Sequence, residues 1–275
     1  MSTDAGHPYG TLRLGAVVIA ASVAVLALLG VSGRAVASSS NASSNASSNP
    51  AAGAASAGAV VAEAQEAMAR AGSVTAQGAG TTTLPGVGRA TLTETDYAGP
   101  TSGSQVLSTT SPGASPDTLP SADTLDVSGA VYVNADAPFW TATVGMAPAS
   151  ATPIAGRWVR IPEGSPAYAD AAADLTMPSL IHDLFHARHY QLTGVRTVDG
   201  QRVVTLADRN TGNDAGPVTV AVSLGGSHLP VLVTIGGVPL HLGSWGRTQP
   251  LAAPAGSVPI PDLGGTTSSG LPSAA

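Results

Sequence analysis

The stretch from Gly129 to Pro162 most constrains the fold. It reads Gly-Ala-Val-Tyr-Val-Asn-Ala-Asp-Ala-Pro-Phe-Trp over 129–140 and, after a loop, Ala-Gly-Arg-Trp-Val-Arg-Ile-Pro over 155–162. Val131 and Val133 alternate with Tyr132 and Asn134, the period of a half-buried strand. Gly156 and Pro162 bracket a second short strand. The stretch carries Trp140 and Trp158, two of the three tryptophans in a chain that is 4% aromatic. Large aromatics dominate core energetics, so so poor a core is expected to form around this segment.

The flanking segments supply more antiparallel strands and the helices to cover them. Val60, Val61, Ala64, Ala67, Met68 and Ala71 fall at helical spacing, with Gly72 as a stop. Strands are expected over 73–80, 89–97 and 103–110, then a Pro/Ser loop over 111–122, then the organising strands 124–134 and 156–161. A short helix over 166–174 precedes a better one over 177–189, where Pro178 suits a first turn and Leu180, Leu184 and Ala187 make an apolar stripe. Asp199-Gly200 signals a two-residue hairpin between 190–198 and 201–207. Val218, Val220, Val222 and Leu224, then Val231, Val233 and Ile235, repeat the alternation. Gly236-Gly237 turns the chain into Val238, Leu240 and Leu242, which closes a meander.

The two ends differ from this. Leu14 to Val31 is an 18-residue apolar run, between the roughly 20 residues that span a bilayer and the roughly 7–15 of a signal core. Residues 1–37 are therefore a retained membrane anchor or a signal cut after Ala37, where Ala35-Val36-Ala37 has the small-x-small form. Arg13 and Arg34 flank the run equally, so charge leaves its orientation open, while the polar Ser/Asn stretch that follows favours export of the rest. Residues 38–58 read as a flexible tether, residues 59–250 as the folded extracytoplasmic domain, and residues 251–275 as a disordered Pro/Gly/Ser tail. A net charge of −6 gives no footprint for nucleic acid. All eleven basic residues are Arg, a skew that suggests a GC-rich bacterial genome. The absence of Cys excludes disulfides, thiolate catalysis and thioether lipidation.

This order resembles the actinobacterial LppX/LprG-type lipoproteins, a LolA-like fold, over roughly Ala59 to Pro254. The resemblance rests on Ser-Val-Thr-Ala-Gln-Gly (73–78), Val-Tyr-Val with Phe-Trp (131–140), Ala-Gly-Arg-Trp-Val-Arg-Ile-Pro (155–162) and Leu-Ile-His-Asp-Leu (180–184). It continues through Gly-Val-Arg-Thr-Val-Asp-Gly-Gln-Arg-Val-Val (194–204), Leu-Pro-Val-Leu-Val (229–233) and Leu-Gly-Ser-Trp-Gly (242–246). It implies an α+β fold in which a curved antiparallel half-barrel is covered by helices around an apolar cavity for acyl chains. It also implies a carrier of lipid in the cell envelope. The chain departs from a lipoprotein signal where Leu28-Leu29-Gly30 is followed by Val31 rather than Cys, so only the apolar run itself can hold it at a membrane.

The expected ligand-lining residues are Val131, Val133, Trp158, Leu184, Phe185, Val220, Val222, Val233, Leu240 and Leu242, with Leu184 and Phe185 as a gate. Without the resemblance the same residues read as packed core. Tyr132, Tyr190 and His186 are candidates for polar groups at the mouth. His182-Asp183-Leu184-Phe185-His186, with His189 beyond, has i, i+4, i+7 spacing on a helix and would suit a metal, or else a polar helix end. Residues 208–214 have the composition of a Ca²⁺ loop without its spacing and read as an ordinary turn. No nucleophile-elbow or phosphate-loop motif occurs, so no enzyme and no cofactor are expected. Three readings follow: a lipid or apolar-ligand binder tethered at the extracytoplasmic face of the cell membrane, a scaffold with a closed core, and a metal binder using His182 and His186.

Overall fold

The computed structural model describes residues 56–84, 87–165, 167–186, 188–208 and 217–260. The apolar run 14–31, the tether, the cut site after Ala37 and residues 261–275 lie outside them, as does most of the 208–214 loop. Among the described residues no helix is long and apolar enough to cross a membrane.

The alternating runs become twelve strands of one sheet: β1 (Val74–Leu84), β2 (Gly88–Ala98), β3 (Gly103–Thr110), β4 (Ala122–Val127), β5 (Ala130–Ala135), β6 (Trp158–Pro162), β7 (Tyr190–Val198), β8 (Gln201–Asp208), β9 (Val218–Ser223), β10 (Pro230–Ile235), β11 (Val238–Gly243) and β12 (Val258–Pro259). Their order in space is β12-β6-β5-β4-β3-β2-β1-β11-β10-β9-β8-β7, so the sheet is open. All pairs are antiparallel except β12 with β6. The helices are α1 (Ala57–Ala71), α2 (Pro148–Ala151), α3 (Tyr168–Ala171) and α4 (Met177–Phe185). The fold is thus α+β, with the sheet expected from the alternation and helices packed on one of its faces.

Turn chemistry fixes the register. Asp199-Gly200 and Gly236-Gly237 have positive φ throughout and close two-residue hairpins between paired Val198 and Gln201, and between Ile235 and Val238. Ser128 and Gly129 do the same, which corrects the single strand expected over 124–134: it is a hairpin, β4 to β5. A second difference concerns Trp140, which the sequence marks as core without assigning its element. The strand ends at Ala135, and the Asp136 carboxylate accepts from Phe139 N at 2.7 Å. That cap starts a π-helical turn, Phe139–Thr143, which lays Trp140 on the sheet. A third concerns the tail. Leu251 packs beside Trp158, and Val258–Pro259 adds a parallel strand to β6, so order continues past residue 250.

The pleat gives the helix-covered face its residues. Register sets Val74, Ala76 and Gly78 of β1 beside Ala98, Asp96 and Glu94 of β2, and these beside Gly103, Gln105 and Leu107 of β3. The row continues through Asp126, Thr124 and Ala122 to Val131, Val133 and Ala135. The middle of this face is therefore polar, with Glu94, Gln105, Thr124 and Asp126 all buried. One apolar cluster lies on the β1 and β8–β11 side beneath α1 and α4. A second lies on the β5–β6 side beneath the π-turn, α2 and α3.

Candidate functional site

The candidate site lies under α4, where the first apolar cluster meets the polar middle of the sheet. Local chemistry holds α4 at both ends. Thr176 caps its start in a reciprocal box with Ser179, and Met177 N donates to Gly99 O at 2.7 Å. At its end the Tyr190 hydroxyl donates to Leu184 O at 2.6 Å. Arg188 Nε donates to Asp183 O at 3.0 Å, and its Nη1 pairs with the buried Asp208 carboxylate at 3.2 Å. Leu180 and Leu184 then point at a floor that includes Val74, Ala76, Leu240 and Leu242.

Between roof and floor is a cavity of about 20 Å³ with apolar walls. On that measure a single water needs roughly 10–15 Å³, and small-molecule sites enclose about 300–1,000 Å³. The chamber is therefore too small for a small-molecule ligand in this conformation. Two polar residues line it, Asp96 and Asp174, and the Oδ1 atom of each is buried without a hydrogen-bond partner. Burial pushes both carboxyls well above the usual carboxylate range. The Glu94 charge adds to this for Asp96, and for Asp174 a hydrogen bond and charge from Asp183 add to it.

The structure divides the lining residues read from sequence. Leu184, Val233, Leu240 and Leu242 line the cavity. Phe185, Val220 and Val222 belong to the same cluster without lining it. Val131 and Val133 lie in the other cluster, across the polar strip. Trp158 is half-buried on the opposite face, beside Tyr132 and Leu251, because its register pairs it with Asn134 while Val159 takes the inner side. Tyr132 is thus away from the mouth, and Tyr190 spends its hydroxyl on the α4 terminus. Sequence reading missed Asp96 and Asp174. Part of the signal was there, since Glu94 and Asp96 share a period with Leu92 and Ala98 along β2.

Comparison with known proteins places shape beside this geometry. No family model matches the chain, and neither does any curated protein. Solved structures similar to it include LprF from Mycobacterium bovis, with 15% identity, a TM-score of 0.40, and coverage of 72% of this chain and 96% of that one. The lipoprotein LppX from Mycobacterium tuberculosis is similar at 15% identity and a TM-score of 0.37, over 72% of this chain and 100% of that one. A LolA superfamily protein from Nitrosomonas europaea follows at 11% identity and a TM-score of 0.30, over 72% and 96%.

The histidines do not form the face that their spacing suggested. The helix stops at Phe185, so His186 is an extended cap and His189 lies beyond it. The His182 and His186 rings stack at 4.2 Å between centroids, presenting faces to each other rather than converging nitrogens. Among the described residues no group of three or more His, Asp or Glu side chains is placed to hold a metal.

Proposed function

We propose that the chain is an extracytoplasmic, membrane-tethered protein that binds an apolar or acyl ligand non-covalently between its sheet and α4. The observation that carries this reading is the apolar chamber beneath a nine-residue helix, small but not filled. Each buried methylene of a ligand would contribute about 0.8 kcal/mol. The present volume admits no acyl chain, so entry requires α4 to move off the floor. Residues 1–37 would export the chain and hold it at the outer face of the cell membrane, and the Ser/Asn-rich stretch after them would tether the domain. The protein acts by binding, without cofactor or catalysis.

The test is native mass spectrometry of the full chain purified from its own host, beside an Ala76→Phe variant that fills the chamber. The expected result is an added lipid mass on the wild type that the variant lacks. Empty protein in both would overturn the reading. It would favour a second one, a scaffold whose core is closed for good, for which the cavity of about 20 Å³ is the supporting observation.

A further inference from the structure

We propose that Asp96 and Asp174, which line the same chamber from β2 and from the loop before α4, form a proton-operated latch that holds the segment 172–185 on the sheet and releases it when they ionise. The cluster joins two bodies. Glu94 and Asp96 stand on β2 in the floor, Asp174 precedes α4, and Asp183 is on α4 itself. Both carboxyls line the same chamber, and the Oδ1 atom of each is buried there without a hydrogen-bond partner. A carboxyl so placed is held neutral, because ionising it would leave an uncompensated charge away from water.

The segment is pressed close and held under strain. A Cβ on Gly103 would lie 1.6 Å from Leu175 O, so only glycine there lets the loop reach β3. Asp174 adopts a φ of 62°, a left-handed conformation that a non-glycine residue keeps only when its surroundings impose it.

The charges acting on Asp96 and Asp174 come from Glu94, Asp96 and Asp183, all carboxyls. From β3 the facing group is the neutral amide of Gln105, which donates to Glu94. From β1 and β11 the facing residues are Ala76, Leu240 and Leu242.

Burial and mutual repulsion raise both aspartates in the closed form. Closure is therefore fullest below the ordinary carboxylate range and weakens as pH rises through the raised values. Each pH unit within that window shifts the equilibrium roughly tenfold per carboxyl. Acid shuts the chamber and neutral pH loosens it, whether or not a ligand is present.

The test is hydrogen exchange on the full chain in detergent micelles from pH 4.5 to 8, read as protection factors corrected for intrinsic rate. Amides of 176–185 are expected to lose at least tenfold in protection across the range, while those of β8–β10 hold. An Asp96→Asn, Asp174→Asn double variant is expected to abolish the change, since an amide keeps a donor without titrating. Asp174→Asn alone, expected to reduce it, serves if the double variant fails to fold. A flat wild-type profile, an unchanged slope in the variants, or equal loss in the strands would overturn the latch. A lipid-free protein with a titrating α4 would leave the latch standing and count only against the ligand reading.

Discussion

Trp140 is 1% exposed, its indole Nε1 donates to Ala135 O at 3.2 Å, and it meets Phe139 edge-on at 5.7 Å between centroids. Truncation to alanine opens a large cavity, while Ala135 O keeps its backbone bond from Gly156 N at 2.8 Å, so Trp140→Ala is expected to cost about 3–5 kcal/mol in urea unfolding. Asp208 is similarly exposed to loss. It accepts from Arg188 and from His189 N, at 3.2 Å each, and its side chain is 1% accessible. Asp208→Ala strips both partners and is expected to cost about 3 kcal/mol, since breaking a buried pair strands its other half. Asp126 works with opposite sign. Burial pushes its carboxyl to about 6, with the Glu163 charge adding and the Tyr168 hydrogen bond opposing. Its contribution is whole below the ordinary value of 3.8 and lost as pH rises to about 6. Asp126→Asn is therefore expected to gain in thermal midpoint over the wild type between pH 4 and pH 7. A difference that stays constant would contradict the assignment.

At the scale of elements, β3 runs over the residues its alternation marks, and the Asp-Gly and Gly-Gly hairpins fall where positive φ demands them. Those features are legible because their causes are local. The end of α4 is not. Spacing carries the helix to His189, but the Tyr190 hydroxyl takes Leu184 O and Arg188 takes Asp183 O, so the chain leaves the helix after Phe185. The placing of His189 on one helix face with His182 and His186 depended on that missing turn. Trp140 was likewise legible as core and illegible as a π-turn residue, because its turn depends on a cap from Asp136. Glu94 and Asp96 were legible as inward-facing, yet the loop that sets Asp174 beside Asp96 in one chamber comes some eighty residues later. That loop gives a further test. Gly103→Ala drives a methyl into Leu175 O and is expected to destabilise the protein by about 1–3 kcal/mol. The loss should show first as faster exchange across α4, ahead of β8–β10.

At the scale of the whole molecule, the described residues form one open sheet of twelve strands, and sheets this wide accumulate twist. Its covered face is apolar at both sides and polar between them. An acyl chain laid across the full width would strand methylenes on Glu94, Gln105 and Asp126, so the proposed ligand site is assigned to the half beneath α1 and α4. Val131 and Val133 then serve packing, and their replacement by alanine should lower stability without touching ligand recovery. The most direct measurement is photolabelling of the full chain with a diazirine-bearing long-chain alcohol, with the modified peptides located by mass spectrometry. Within the folded domain, label is expected on Leu180 and Leu184 and on the facing β10–β11 segment, and to vanish in Ala76→Phe. Label confined to the exposed Leu192 and Val195, or unchanged by the filled chamber, would contradict a ligand site beneath α4.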